Sequence, residues 1–311
     1  MKIITITLSP AFDIHCKSKS FLAEHENFAE ITSYDAGGKG INLSRALMAR
    51  GGESLAVVAT GKENGANFLS ALDRDSLIYK AIEVDGRIRE NITVHPKDGK
   101  ETRLSFSGFC ADLSLLESTE KIINDYATDG DVVALVGSLP KGISANEAKS
   151  FVKSLKSRGI KVVIDSRSLT PDDIIECAPF LIKPNEEEIT AYTSQAIDSL
   201  EDAARAALQI RQKGVENVMI SLGAKGAVLA SDDGIFSANA PKITALSTIG
   251  AGDSSLAGFL AAYKDGKDYE ECLKTAVAYG SAACLTEGTK PPRREDIEKL
   301  FNTIHTKKAE F

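Results

Sequence analysis

Short apolar runs recur along the chain, with polar-faced segments of helical length between them. Residues 2–8 (KIITITL), 54–60 (SLAVVAT), 131–137 (DVVALVG), 161–166 (KVVIDS), 179–185 (PFLIKPN) and 217–223 (NVMISLG) are such runs. They are continuous rather than alternating, the pattern of strands buried on both faces in a parallel sheet. Residues 145–159 and 199–214 carry helical periodicity, and each stops on glycine, a common helix terminator. Strand, helix, strand at this spacing predicts an α/β fold: a doubly wound, mostly parallel sheet flanked by helices.

Two stretches break the rhythm. Residues 28–38 (FAEITSYDAGG) and 87–108 (RIRENITVHPKDGKETRLSFSG) alternate apolar and polar positions, as half-exposed antiparallel strands do. PKDGK at 96–100, within the second stretch, is a hairpin signal. These segments predict a small β-sheet lid over a cleft, with its strands within 12–36 and 87–108; an edge hairpin without a role is the plain alternative. No repeat, low-complexity segment or linker divides the chain, so residues 1–311 are read as one domain.

Composition narrows the partners. A net charge of −7 over 311 residues argues against sequence-independent nucleic-acid binding, which needs a positive footprint. A local cluster of Lys and Arg still permits a small anionic substrate. The five cysteines are scattered without a C-x-x-C pair, and the four histidines are equally dispersed. Reduced thiols are therefore expected, with neither a disulfide framework nor a zinc site. The opening residues lack a signal-peptide pattern, and no apolar stretch approaches membrane-spanning length. The expectation is a cytoplasmic protein that binds no membrane.

Chemistry concentrates where glycine meets a helix start. In TIGAGDSSLAGF (248–259), Leu256, Phe259, Leu260 and Tyr263 follow Asp253 at helical spacing, so a helix is predicted to begin at Asp253. Gly250 and Gly252 leave backbone N–H groups uncovered there, which suits an anion such as phosphate. Locally, a helix cap, a metal ligand and a catalytic base all satisfy the position of Asp253. The helix N-terminus is expected to lower its pKa and keep it ionised, a weak base suited to phosphoryl transfer.

DAGGKGIN (35–42) is a second glycine-rich turn into a helix, carrying Lys39 and Asn42, and it matches neither the P-loop nor the dinucleotide fingerprint. IKPNEEEIT (182–190) sets Asn185 and Glu188 three apart, able to hold a hydrated Mg²⁺ through its waters or simply to cap a helix. SLGAKGAVLA (221–230) reads as a hairpin able to lie beside a nucleotide. Arg89 and Arg103 flank the lid hairpin and, with Lys39, offer charge to an anionic substrate; solvated strand charge is the alternative.

Together and in this order, TLSPAFD (7–13), GGKGIN (37–42), GSLPKG (137–142), KPNEEE (183–188), SLGAKG (221–226) and TIGAGDSSLAGF (248–259) resemble the PfkB, ribokinase-like carbohydrate kinases. The resemblance spans essentially the whole chain and is nearest the 1-phosphofructokinase and tagatose-6-phosphate kinase branch. It implies that Asp253 takes the proton from the sugar hydroxyl, with Gly250, Ala251 and Gly252 as anion hole. It implies that Asp13, Gly38 and Asn42 hold the sugar, and that Lys39, Arg89, Arg103 and Ser138 meet its phosphate or the sugar itself. Asn185 and Glu188 match the element for Mg²⁺ and phosphate, with Lys183 nearby. Ser221, Gly223, Gly226, Ala278, Gly280 and Ser281 would line the ATP site. Ser9 stands where that branch commonly has an amide, and Arg103 where many relatives have an acidic or amide residue.

The resulting expectation is ATP- and Mg²⁺-dependent phosphorylation of a phosphorylated ketohexose, foremost fructose 1-phosphate to the 1,6-bisphosphate. Tagatose-6-phosphate kinase and 6-phosphofructokinase are the near alternatives, and a non-catalytic sugar- or nucleotide-binding regulator is the alternative of another class. An exposed lid edge also permits a homodimer through the lid.

Overall fold

The computed structural model describes residues 1–193 and 197–309. In chain order the first strands are β1 (Ile3–Thr7), β2 (Ala11–Ser20), β3 (Ala29–Gly37), β4 (Leu55–Gly61), β5 (Tyr79–Val84), β6 (Arg89–Asp98) and β7 (Thr102–Ser105). They continue as β8 (Val132–Val136), β9 (Lys161–Asp165), β10 (Leu181–Ile182), β11 (Asn217–Ser221), β12 (Ala227–Ser231), β13 (Gly234–Ala238) and β14 (Thr306–Ala309). The helices are α1 (Lys39–Met48), α2 (Gly65–Arg74), α3 (Leu113–Tyr126), α4 (Ala145–Ser157) and α5 (Pro171–Cys177). After them come α6 (Glu186–Thr193), α7 (Leu200–Gln212), α8 (Ala251–Lys264), α9 (Tyr269–Ala283) and α10 (Arg294–Phe301).

Every run read as a buried strand forms one. Among the described residues a ten-stranded sheet runs β14-β13-β12-β11-β10-β9-β8-β1-β4-β5. Its pairs from β11 to β5 are parallel, and the pairs β11–β12, β12–β13 and β13–β14 are antiparallel. β1, β4 and β8 are buried at every position, because helices cover both faces. Alternate residues feed two cores: Ile4, Ile6, Val133 and Leu135 on one side, Ile3, Val132, Ala134 and Val136 on the other. β10 is shorter than its run indicates. It stops at Ile182, before Lys183 and Pro184, because proline offers no N–H to continue a ladder.

The segments expected to form the lid make a second, four-stranded sheet of order β3-β2-β6-β7. β3, β6 and β7 lie in the stretches that alternate, and β2 begins in TLSPAFD, whose alternation is hidden by the proline before it. The β2–β3 and β6–β7 pairs are antiparallel as expected, but β2 pairs with β6 in parallel. Period-2 alternation reports one wet face and does not set strand direction.

Candidate active site

The C-terminal ends of the parallel strands converge on one edge of the large sheet, where ligands of open α/β sheets bind. Thr7 ends β1, Asp165 ends β9, Ser221 ends β11, and Lys183 follows β10. The glycine turn before α1 and the start of α8 meet at this edge, with α1 packed on α8.

α8 begins at Ala251, two residues before the start read from the apolar stripe. Gly250 is its N-cap, in the left-handed region at φ 76°, a conformation that glycine adopts without steric cost. Asp253 is therefore the third helical residue and not the cap, and no side-chain capping bond is made at this terminus. Its carboxylate meets α1 instead: Asn42 Nδ2 donates to Asp253 Oδ2 at 3.0 Å.

The expectation that the helix N-terminus lowers the Asp253 pKa is overturned. Asp253 is only 8% exposed. Burial, followed by the negative charge of Asp165, pushes its pKa up to about 6, against the Asn42 hydrogen bond and the ammonium groups of Lys39 and Lys183. A base near 6 lies closer to the working pH than an ordinary aspartate and takes a proton more readily.

Asp165 went unnoticed in the sequence. It is buried, with Lys39 Nζ 2.6 Å from Oδ1 and Lys183 Nζ 3.7 Å from Oδ2. Burial alone would raise its pKa, but the charges of Lys183 and Lys39 outweigh burial and hold it below the usual carboxylate range. Lys183 connects this pair to α8, because a Cβ on Gly252 would stand 3.1 Å from its Nζ. Two carboxylates and two ammonium groups thus share the mouth of the helix.

The three cations expected to converge divide between two acids. Lys39 belongs to Asp165, whereas Arg103 Nη2 lies 3.4 Å from Asp13 Oδ1 on the lid. Arg89 shares that lid face. Its Nη2 donates to the Ser9 carbonyl at 3.3 Å, and its buried Nε has no protein partner. Burial lowers the Arg89 pKa, and Asp13 acts in the opposite direction. Asn91 Nδ2 also donates to Asp13 Oδ1, at 2.9 Å, another contact not read from the sequence. Gly38, at φ 141°, turns the chain from the lid into α1, where a Cβ would press on Thr7. Ser138 is half-buried just beyond β8.

On the far side of Lys183, Asn185 and Glu188 cap α6 reciprocally. The Glu188 N–H donates to Asn185 Oδ1 at 2.8 Å, the Asn185 N–H donates to Glu188 Oε2 at 3.1 Å, and Arg167 Nε donates to Glu188 Oε1 at 2.7 Å. Ser221 bridges to Asn185, and Gly223 opens the short 3₁₀ turn Gly223–Lys225 between β11 and β12. Gly226 closes that turn at φ 111°, where a side chain would collide with the Ala238 carbonyl. α9 packs closely on α8: a Cβ on Gly280 would lie 3.1 Å from Ser255 Cβ. Ser281 is half-buried beside it. Ala278 is fully enclosed in the core, so its side chain packs instead of lining the site.

Among the described residues no group of three or more His, Cys, Asp or Glu side chains is arranged to hold a metal, and no helix is long and apolar enough to cross a membrane.

The chain is similar to known proteins in sequence and in fold. Residues 9–296 match the pfkB family carbohydrate kinase family. The chain is 31% identical over 282 residues to the 1-phosphofructokinase of Haemophilus influenzae, covering 90% of each. It is 26% identical to the ATP-dependent 6-phosphofructokinase isozyme 2 of Escherichia coli, covering 97% of this chain and 98% of the relative. The crystal structure of phosphofructokinase-2 from Escherichia coli in complex with substrates and products superposes with a TM-score of 0.89 at 25% identity, covering 97% of this chain and 99% of that one. With the family model matching nearly the whole chain and a 1-phosphofructokinase at 31% identity over 90% of it, the chain belongs to the pfkB family of carbohydrate kinases and is a sugar kinase that uses ATP.

Proposed function

We propose that this kinase acts on a ketohexose that already carries one phosphate, foremost fructose 1-phosphate, and converts it to the 1,6-bisphosphate. The observation that carries the reading is Asp253, buried, pushed up to about 6 and oriented by Asn42 at the first turn of α8. The free primary hydroxyl gives its proton to Asp253 while its oxygen bonds to the γ-phosphorus of ATP. The bond from that phosphorus to the β–γ bridging oxygen breaks, and ADP leaves. The N–H groups of Gly250, Ala251 and Gly252 stabilise the transferring phosphoryl, with Lys183 beside them. Asp13, Gly38 and Asn42 hold the sugar, and Lys39, Arg89, Arg103 and Ser138 meet its phosphate or the sugar.

ATP lies along Lys183, Asn185, Ser221, Gly223, Gly226, Gly280 and Ser281. Asn185 and Glu188, paired at the start of α6 next to Lys183, would hold a magnesium ion through its waters beside the nucleotide. When bound, that ion neutralises phosphate charge.

Fructose 6-phosphate is a second reading, favoured by Arg103, which adds a guanidinium beside Asp13. It is also favoured by the 26% identity to the ATP-dependent 6-phosphofructokinase isozyme 2 of Escherichia coli. The lid's outer face, with Ile31, Tyr34 and Leu104 exposed, supports a cytoplasmic homodimer joined through the lids. The deciding experiment is a coupled assay with ATP, Mg²⁺ and fructose 1-phosphate, fructose 6-phosphate, tagatose 6-phosphate or free sugars. Highest kcat/KM with fructose 1-phosphate is expected; turnover only of free sugars overturns the reading, and no turnover of any sugar favours a regulator.

A further inference from the structure

Asn91 sits at the centre of the lid sheet, in register with Asp13 of β2 on one side and Ser105 of β7 on the other. It is 6% exposed, and an amide so enclosed needs its partners. Its Nδ2 donates to Asp13 Oδ1 at 2.9 Å. The same oxygen faces Arg103 Nη2 at 3.4 Å, from a side chain that is largely exposed. Asp13 Oδ2 is different. It lies over Gly37, where any Cβ would collide with it, and among the described residues no hydrogen-bond donor is paired with it. The remaining charged or titratable neighbours on this face are Arg89 on β6, Asp35, in register with Asp13 on β3, and His15, two residues on in β2, whose Nδ1 lies 2.9 Å from His95 Nε2.

A carboxylate turns easily about its last torsion. Guanidinium groups prefer to take both oxygens of an acid at once. Between Arg103 and Arg89, an untethered Asp13 would turn towards such a two-oxygen pair and withdraw Oδ2. We propose that Asn91 is a positioning residue for the sugar: by occupying Oδ1 it keeps Asp13 Oδ2 over the glycine turn, free to accept a substrate hydroxyl. Its neutrality matters as much as its donor, because a charged donor would compete with the substrate for the second oxygen. The inference rests on the proposal that Asp13 holds the sugar.

Two variants test it, Asn91→Leu, which keeps the branched shape and removes the donor, and Asn91→Asp, which replaces the donor with a second carboxylate. With fructose 1-phosphate and fructose 6-phosphate as probes, Asn91→Leu should raise the KM for the phosphosugar by about tenfold or more, with kcat within about threefold and the KM for ATP unchanged. Asn91→Asp should bind the phosphosugar more weakly still at pH 8. Two adjoining carboxylates share a proton as the pH falls, so part of the affinity should return at pH 6 when each calorimetric Kd is referred to wild type at the same pH. A packing role alone would give no such recovery. A phosphosugar KM within twofold of wild type for Asn91→Leu, or no recovery for Asn91→Asp, overturns the inference. Asp13→Ala separates the two levels. If it leaves phosphosugar affinity unchanged, the proposed sugar site is wrong; if it weakens binding while both Asn91 variants do not, only the role of Asn91 is lost.

Discussion

The Asn42 amide donates to the Asp253 carboxylate across 211 residues of sequence, at 3.0 Å, and that acid is held in a place where its charge is costly. A folded pKa of about 6 against an ordinary 3.8 means that the native state binds more protons than the unfolded chain between those values. Stability therefore falls as the pH rises through that window, and above it the native protein carries a cost of about 3 kcal/mol. Asp253→Asn retains an acceptor for Asn42 and removes the charge. It should lower kcat at least about a hundredfold while ATP still binds. It should also raise thermal stability, by about 3 kcal/mol at pH 8 and only about 1 kcal/mol at pH 4.5. Calorimetric melts at the two pH values check this; an equal gain at both would show that the carboxylate's charge is not the destabilising element.

Asp165 works in the opposite sense. Its pKa is held low by Lys183 and Lys39, so it stabilises the fold above the ordinary carboxylate value, and that contribution is lost as the pH falls towards its folded value. Asp165→Asn leaves Lys183, 5% exposed, without its counter-charge. Breaking a buried pair in this way costs about 3–5 kcal/mol, to be read from denaturant melts at pH 7.5. Because the charge of Asp165 is also a cause of the high Asp253 pKa, the acid limb of kcat/KM should move from near 6 to lower pH. A limb that stays in place would separate the two acids electrostatically.

The two glycines of the proposed anion hole should respond differently. Gly250 sits at φ 76° with ordinary space around its missing Cβ, so Gly250→Ala should cost about 1–2 kcal/mol of stability from the left-handed backbone. Gly252 has no such backbone strain, but a Cβ there stands 3.1 Å from the Lys183 ammonium. Lys183 has little room to retreat, since Asp165 holds its other side. Gly252→Ala should therefore spare the melting temperature and lower kcat by about tenfold or more, because displaced positive charge is lost at the transferring phosphoryl. Equal losses of stability in both variants would argue against this division.

The sheet was legible because its strands are buried on both faces, which writes continuous apolar runs such as those of β1, β4 and β8. The position of Asp253 was legible from two glycines and the stripe behind them; its protonation was not. That depends on burial and then on Asp165, whose ion pair with Lys39 closes across 126 residues. Asn91 was hidden for the same reason, as one polar residue in a strand whose partner lies 78 positions away. Asn185 and Glu188 were readable as a pair because capping is local, three residues apart in a single turn. Polar residues thus disclose themselves in sequence when their partners are near, and Asp165 and Asn91 become visible only when strands bring distant partners together.

The lid's outer face carries the last expectation. Ile31 is in register with Cys16, Tyr34 with Ile14, and Leu104 with Ile92, on the face opposite Asp13, Asn91 and Arg103. On that same face Ile14 and Cys16 are buried among their neighbours, whereas Ile31 is 61% exposed and Tyr34 and Leu104 are also open to solvent. An apolar lid face left in water marks an interface, and pairing with a second lid would cover it. The double variant Ile31→Asp/Leu104→Asp should shift the mass found by light scattering from dimer to monomer. Within one subunit these side chains bury little, so the melting temperature extrapolated to low protein concentration should change by less than about 0.5 kcal/mol equivalent. Loss of the partner lid should then raise the KM for the phosphosugar more than that for ATP, because Asp13, Asn91 and Arg103 share the sheet whose outer face has been uncovered. A variant that remains dimeric would move the interface elsewhere on the molecule.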